Sequence, residues 1–234
     1  MTTPGRLLCA AALPCLLFAS AVSAAEWTRY GALTTDYVFR GVSYSDSHAA
    51  VQAGVDVALP SGLYLGLWGS SADISGGATR QRDLQVNYYV GYNHDLGSAW
   101  SIGANVVAYS FPGTEGNIDY DFLEYSAVAN FDDRAWLEYS HSPDLFHTGR
   151  RTHNVDLYGE WPLPRQLVLG AGAGYYDVSD LTGSGYAWWQ LGITRAFGRI
   201  DVDLRYHDTS RAVPIISTPE LAKARLALSV KISY

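Results

Sequence analysis

The stretch "ARLALSVKISY", residues 224–234, alternates apolar and mostly polar residues. Every second position, counted back from the last residue, is apolar: Tyr234, Ile232, Val230, Leu228, Leu226 and Ala224. The positions between them are mostly polar: Ser233, Lys231, Ser229, Ala227 and Arg225. Alternation with a period of two predicts a β-strand that has one apolar and one polar face.

The same alternation recurs along the chain, for example in "AAVQAGVDVAL" (49–59), "DLQVNYYVGYN" (83–93) and "RIDVDLRYH" (199–207). Twelve segments follow it, near 27–40, 49–59, 63–72, 82–94, 99–110, 119–130, 134–141, 151–160, 165–177, 184–196, 199–208 and 221–234. Each segment is close to the length that a tilted transmembrane strand needs. A weak segment, 134–141 or 184–196, leaves ten or fourteen strands as alternatives.

The connections between these segments also alternate in length. Short ones fall at 60–62, 95–98, 131–133, 161–164 and 197–198. Long ones fall at 41–48, 73–81, 111–118, 142–150, 178–183 and 209–220. Outer-membrane barrels combine short periplasmic turns, long outer loops and an even strand number. We therefore predict an all-β fold, a transmembrane up-and-down antiparallel β-barrel of 12 strands, in which the last strand pairs with the first and its apolar face meets lipid. A soluble lipocalin or sandwich, with the apolar face inward, is the alternative.

The first residues resemble a secretory signal peptide, with a basic Arg6 followed by the apolar run at 7–22. Cleavage is expected after Ala24 or Ala25, which leaves 25–234 as a single barrel domain. Both cysteines, Cys9 and Cys15, lie inside the signal, so no disulfide is expected in the mature protein. The formal net charge of −7 makes nucleic acid an unfavourable partner.

Aromatic residues gather near the predicted strand ends, as in the two interfacial girdles of membrane barrels. On the short-turn side the girdle is predicted to include Trp27, Trp100, Trp161 and Tyr234. On the long-loop side it is predicted to include Tyr37, Phe39, Tyr109, Phe111, Tyr120, Tyr175, Tyr176 and Tyr186.

The polar faces of the strands are predicted to line the lumen, because a charge facing hydrocarbon would cost a few kcal/mol. The lumen-lining candidates are Asp36, Arg40, Asp56, Asp83, Asn87, Glu124, Glu138, Asp156, Asp201, Asp203 and Arg205. The wider inner-face set includes Gln52, Gln85, Arg225 and Lys231. Two hypotheses remain open: a polar conduit with a weak preference for cations, or a network of salt bridges that plugs the lumen. Arg40, in "FRG", fits a lumen gate or a structural ion pair.

Other functions are less well supported by the residues. Some outer-membrane barrels are lipid hydrolases or acyltransferases, but no nucleophile elbow is present, and the histidines at 141, 147 and 153 are too widely spaced for a compact metal site. We therefore expect no enzyme, no cofactor and no metal. Long outer loops that act in adhesion, or a purely structural role, remain the alternative to a channel.

The stretch Thr34–Ser71 is more specific: "DYVFRGVSYSD", "AVQAGVDV" and "SGLYLGLWGS" resemble the start of the TorF family, an uncharacterised exported family with an assigned porin role. The resemblance extends more loosely to "NYYVGYN", "NVDLYGEW" and the terminal aromatic. One departure is Ala49, where the family is expected to have Pro. The resemblance implies an outer-membrane barrel but supplies no substrate and no site residues.

The resulting hypothesis is a porin-like channel in a Gram-negative outer membrane for passive diffusion of small polar or ionic solutes. Its expected partners are membrane lipid and lipopolysaccharide, the solutes themselves, and the barrel-assembly machinery, which would read the Tyr234 strand. A monomer is expected.

Overall fold

The computed structural model describes residues 25–73, 83–97, 99–112 and 119–234. The predicted signal peptide, residues 1–24, lies outside these ranges. Among the described residues, the helices are a 3₁₀ turn at Leu145–His147 and α1 at Ser179–Thr182, and no helix is long and apolar enough to cross a membrane.

Twelve antiparallel strands form a closed barrel, which confirms the predicted fold. The barrel strands are β1 Glu26–Thr34, β4 Ala50–Ala58, β5 Leu63–Ala72, β6 Asp83–Asp95, β7 Trp100–Ser110, β8 Phe122–Phe131, β9 Ala135–Ser142, β10 Thr152–Leu163, β11 Leu167–Asp177, β12 Tyr186–Phe197, β13 Ile200–Thr209 and β14 Arg225–Ser233. Two further strands, β2 Val38–Phe39 and β3 Val42–Ser43, pair only with each other.

The barrel closes where β14 pairs with β1, with Tyr30 opposite Ser233 and Thr34 opposite Ser229. Every strand edge of the barrel is therefore paired, which removes the open edges that promote aggregation. The predicted rhythm of short turns and long loops is present, so the barrel has a short-turn end and a long-loop end.

The two faces of each strand differ in polarity. Outward side chains are apolar and exposed, such as Leu65 at 49%, Leu157 at 57% and Leu226 at 64%. Inward side chains are largely polar and buried, such as Gln85, Ser140 and Asn154. An apolar outside around a polar inside is the arrangement of a lipid-facing barrel.

The loop after β1 corrects the predicted first strand, 27–40, and the predicted outer loop, 41–48. The strand ends at Thr34, and the following residues fold into the lumen as the hairpin β2–β3. Its two-residue turn, Arg40-Gly41, has φ values of 47° and 78°. Positive φ at both central residues suits the twist of a tight hairpin and explains the glycine. We call residues 35–49 the inner hairpin.

The loop before β14, residues 210–224, also turns inward. Val213 and Leu221 are buried against Val42 of the inner hairpin and against the wall residues Tyr186 and Trp188. The amide of Ser43 donates to the carbonyl of Leu221 at 2.9 Å. The two inward loops therefore support each other at the long-loop end of the lumen. We call residues 210–224 the last loop.

The predicted aromatic girdle at the long-loop end is wrong for most of its members. Six of its residues are buried inside the barrel: Tyr37, Phe39, Tyr109, Phe111, Tyr176 and Tyr186. Tyr120 is partly buried against the same interior cluster, and only Tyr175 faces outward, at 48% exposure. The rings fill the lumen because the inner hairpin brings its own aromatic residues to meet them.

Glycines on the inner face make room for these rings. A Cβ at Gly54 would lie 2.6 Å from the Tyr30 ring, and Cβ atoms at Gly66 and Gly91 would collide with Tyr89 and Tyr64. Each of these glycines therefore leaves room for a tyrosine ring from a neighbouring strand.

Candidate functional site: the lumen

Arg40, at the turn of the inner hairpin, is held in the lumen by two wall carboxylates. Its guanidinium donates to both Glu124 oxygens on β8, at 2.8 and 2.9 Å. Its Nε lies 3.9 Å from Asp156 on β10. The rings of Phe39 and Tyr176 each lie 4.8 Å from the guanidinium carbon, so aromatic faces add to its binding. This two-point ion pair fixes the tip of the hairpin against the β8–β10 wall.

Arg225, the first residue of β14, joins the inner hairpin to the last loop. Its Nη1 donates to Asp36 at 2.7 Å and to Ser47 at 3.1 Å. Its Nη2 donates to the carbonyls of Glu220 and Leu221, at 2.8 and 2.6 Å, and its Nε to that of Lys223 at 3.1 Å. All five N–H groups of the side chain therefore have acceptors.

Asp36 is equally well held. Its second carboxylate oxygen accepts hydrogen bonds from Ser43 at 2.6 Å and from Ser45 at 3.0 Å. The side chains of Arg225 and Asp36 are only 6% and 7% exposed. Because both charges are buried and hydrogen-bonded, the pair acts as a rigid connection between the two loops. We call Arg225 and Asp36 the latch.

An internal cavity of about 60 Å³ lies below the latch, along the wall formed by β13, β14 and β1. Ten of its lining residues carry polar or charged side chains: Thr34, Asp36, Gln52, Thr194, Asp201, Asp203, Arg205, His207, Ser229 and Lys231. The others are Tyr30, Ala32, Tyr37, Val38, Trp68 and Ala227. Small residues, Ala32 and Ala227, leave this space open. Elsewhere tyrosines and tryptophans occupy the lumen.

The lumen-lining residues predicted on β13, together with Lys231 on β14 and Thr194 on β12, which was not predicted, border this cavity. Arg205 donates to both oxygens of Asp203, at 3.2 and 2.9 Å, and Thr194 donates to Asp203 at 2.6 Å. Asp201 and Lys231 lie opposite each other in the pairing of β13 with β14. Lys231 places its ammonium 4.3 Å from the centre of the Tyr30 ring.

The remaining predicted residues lie on other parts of the wall. Tyr89 donates to Asp56, Gln85 donates to Asn87 at 2.9 Å, Ser140 donates to Glu138 at 3.3 Å, and Trp188 donates to Asp156 at 3.1 Å. These groups are buried and hydrogen-bonded to their neighbours. Asp83 begins β6, but its side chain lies outside the described residues. The predicted girdle residues at the short-turn end all face outward, with exposures of 58% for Trp27, 53% for Trp100, 49% for Trp161 and 68% for Tyr234.

Three contributors to the lumen were not identified as site residues from the sequence. Arg225 was placed on the inner face, but its role as a latch was not predicted. Tyr37 donates to Gln85 at 3.0 Å from the inner hairpin, and His207 borders the cavity. The signal that could have revealed the hairpin is "VFRGVS", in which a two-residue turn ending in glycine separates short β-branched and aromatic runs.

Within the described ranges, no group of three or more His, Cys, Asp or Glu side chains is placed to hold a metal ion. The buried arginines of the lumen each pair with a carboxylate: Arg40 with Glu124, Arg205 with Asp203 and Arg225 with Asp36.

Solved structures that superpose on this barrel include a porin and a transporter, at very low sequence identity. The KdgM porin superposes with a TM-score of 0.55 at 11% identity, covering 89% of this chain and 99% of that chain. The same porin in complex with disordered oligogalacturonate gives 0.56 at 9% identity, with the same coverage. The toluene transporter TodX from Pseudomonas putida gives 0.52 at 10% identity, covering 91% and 88%. These likenesses establish the fold.

Sequence comparison gives a family without an activity. Residues 18–232 match a family described as "Bacterial protein of unknown function (Gcw_chp)". Among curated proteins, none matches this sequence.

Proposed function

The chain belongs to the Gcw_chp family of bacterial proteins of unknown function, and we propose that it is a porin-like barrel of a Gram-negative outer membrane through which small polar or ionic solutes diffuse. No covalent step and no cofactor is part of this proposal. The TorF resemblance of the first third of the chain agrees with it and remains a prediction.

The observation that carries the proposal is the polar cavity beside β13, β14 and β1 inside an apolar-walled barrel. A closed barrel that needed only to be stable could fill this space with apolar side chains. Here hydroxyl, amide and charged groups border a volume with room for about four water molecules. Passive diffusion of polar solutes requires a path with space for water along polar groups, and this cavity provides such a path along one wall.

The location is part of the proposal. The outward leucines described above match a hydrocarbon surrounding, and the exposed tryptophans at the short-turn end suit a membrane interface. We propose that membrane lipid and lipopolysaccharide surround the barrel, that the signal peptide directs export, and that the assembly machinery reads the Tyr234 strand. The protein is proposed to act as a monomer.

We also propose a weak preference for cations. Among the described residues, the buried charged side chains include eight carboxylates, from Asp36 to Asp203, and three arginines. This excess of negative charge should attract cations and disfavour polyanions. An acidic oligosaccharide is therefore a poor candidate for this lumen.

Planar-bilayer recording of the refolded mature protein tests the proposal. Discrete conductance steps with a cation-selective reversal potential under a salt gradient are expected. Changing Asp201 and Asp203, which border the cavity, to Asn together should reduce the selectivity, whereas Asp132→Asn in the exposed short turn should not. Unchanged selectivity in the double variant would remove these two aspartates from the conducting path.

A non-conducting barrel that acts in adhesion or as a structural protein through its long loops is the second candidate. The observation in its favour is that the inner hairpin and the last loop occupy much of the lumen. A folded protein that inserts into bilayers but carries no current would favour this candidate. Loop-deletion strains would then be tested for lost binding with unchanged permeability.

A further inference from the structure

We infer that the route through the barrel follows the wall formed by β13, β14 and β1, and that the latch between Arg225 and Asp36 closes this route at the long-loop end. The inference rests on the proposed channel function and goes further, because it names one path among several and the residue that controls it.

Among the described residues, aromatic side chains fill much of the lumen away from this wall. On the β5–β8 side, Tyr37 and Phe39 of the inner hairpin pack with Trp68, Tyr109 and Phe122 of the wall. On the β10–β12 side, Tyr158, Tyr176, Tyr186 and Trp188 pack with Val42. Between these clusters, the ion pair of Arg40 with Glu124 holds the hairpin tip. A hydrated solute cannot pass through close-packed rings.

The cavity is long. Its lining residues on β13 extend from Asp201 near the short-turn end to His207 near the long-loop end. These two residues are six positions apart, which is about 20 Å along a strand, so the cavity runs along much of the wall. A volume of about 60 Å³ over that length makes it narrow, so water and small ions fit it better than bulky solutes.

Two lining groups place polar atoms beside the cavity. His207 is 4% exposed and borders the cavity, and its ring has no hydrogen bond or ion pair within the described part of the chain. Lys231, at the other end, lies opposite Asp201 in the pairing of β13 with β14 and places its ammonium 4.3 Å from the centre of the Tyr30 ring. These two groups offer polar contacts to water or a solute at both ends of the route.

The latch stands at the long-loop end of this route. Asp36 lines the cavity, and its bond to Arg225 ties the inner hairpin to the last loop directly above it. Arg225 is the single side chain in the described ranges seen to bond to both loops through its guanidinium. Removing that guanidinium leaves the hairpin tip fixed by Arg40 and the amide of Ser43 bonded to Leu221, but it removes the side-chain bonds that tie Asp36 and Ser47 to the last loop.

A cysteine-labelling experiment tests the route, because the mature protein is predicted to lack cysteine. We would compare Ser229→Cys, which borders the cavity, with Ser140→Cys, which is fully buried on the filled β9 wall. Both variants are refolded, checked for the folded band on unheated gels and treated with a small cationic methanethiosulfonate reagent. Accessible thiols react faster, so Ser229→Cys should be modified at least about tenfold faster than Ser140→Cys.

Conductance then tests the latch. Arg225→Ala should raise single-channel conductance and speed the labelling of Ser229→Cys, and Arg225→Lys, which keeps the charge but not the five bonds, should have an intermediate effect. Equal labelling of the two cysteines would overturn the route, and a folded Arg225→Ala barrel with unchanged conductance and labelling would overturn the latch. Selective labelling without current in any variant would support the cavity assignment and overturn the proposed channel function.

Discussion

Arg40 and Glu124 lie 84 positions apart in the sequence, yet their side chains form two parallel hydrogen bonds of 2.8 and 2.9 Å in the middle of the barrel. One partner stands at the turn of a loop that folds into the lumen, and the other belongs to the wall strand β8. The pair therefore couples the position of the inner hairpin to the stability of the barrel.

Arg40→Ala should destabilise the barrel by about 3–5 kcal/mol, because it leaves Glu124 as a buried charge without its partner. Urea unfolding of the refolded protein, followed by tryptophan fluorescence, measures this loss. The control is Arg134→Ala, since Arg134 and Asp132 are 3.5 Å apart with side chains 60% and 52% exposed. An exposed pair of this kind contributes under about 1 kcal/mol. Equal losses in the two variants would show that the Arg40 pair does not hold the hairpin.

Gly41→Ala should loosen the inner hairpin. Its Cβ would lie 2.5 Å from Cγ2 of Thr209 and 2.9 Å from the carbonyl of Asp208, at a φ of +78°. Overpacking adds about 1–3 kcal/mol to the backbone strain. Gly149→Ala is the matched control, because Gly149 has a φ of +70° but nothing within 4 Å of an added Cβ. Unfolding free energies of the two variants, measured side by side, separate crowding from strain. A loss at Gly149 as large as that at Gly41 would contradict the packing argument.

Leu191→Arg tests the lipid-facing surface. Leu191 is 54% exposed at the middle of β12 and points outward. An arginine there should cost about 2–4 kcal/mol in a bilayer. Leu96→Arg is the control, since Leu96 is 57% exposed but lies in the short turn between β6 and β7. The cost there should be about 0–1 kcal/mol, as for positions near an interface. Reversible unfolding from lipid vesicles gives both values, and similar costs would argue against a membrane around β12.

Tyr234→Ala should reduce assembly in cells without reducing the stability of barrels refolded in detergent. The backbone amide of Tyr234 donates to Arg29 at 2.8 Å, and this bond does not need the ring. The ring itself is 68% exposed and contributes little packing. The measurement is the fraction of folded protein in outer-membrane preparations. Tyr92→Ala, which removes an outward tyrosine that is 45% exposed, is the control. If both variants assemble equally well, Tyr234 is not read as a signal.

The barrel could be predicted because alternation is a property of each strand by itself. Consecutive side chains of a strand point to opposite faces whichever strand lies next to it. The apolar and polar faces of the segments 49–59, 83–93 and 199–207 therefore follow from their own sequences, whichever strands they pair with. Turn lengths added the up-and-down order. The inward placement of Asp56, Asp156 and Asp203 follows from the same alternation.

The path of the first long loop could not be predicted in this way. Residues 35–40 continue the alternation of β1, so the sequence pattern extends the strand past its actual end at Thr34. The chain turns inward because three of its side chains form hydrogen bonds with buried groups in the lumen. Arg40 bonds to Glu124, Tyr37 to Gln85 and Asp36 to Arg225. None of these partners is local in sequence. The prediction of an aromatic girdle at the long-loop end failed for the same reason. Most of the tyrosines near those strand ends face the lumen, where they pack against residues distant in sequence.

Strand periodicity and turn chemistry act over a few residues, so the alternation and the turn lengths predict an up-and-down barrel with an apolar outside and a polar inside, with twelve strands favoured over ten or fourteen. What fills the barrel depends instead on contacts between distant parts of the chain. Asp36 and Arg225 are 189 positions apart, and whether they meet depends on barrel closure and on the space left by small residues such as Ala32 and Ala227. Contacts of that kind are set by the packing of the whole lumen, which is why the cavity and its latch appear only in three dimensions.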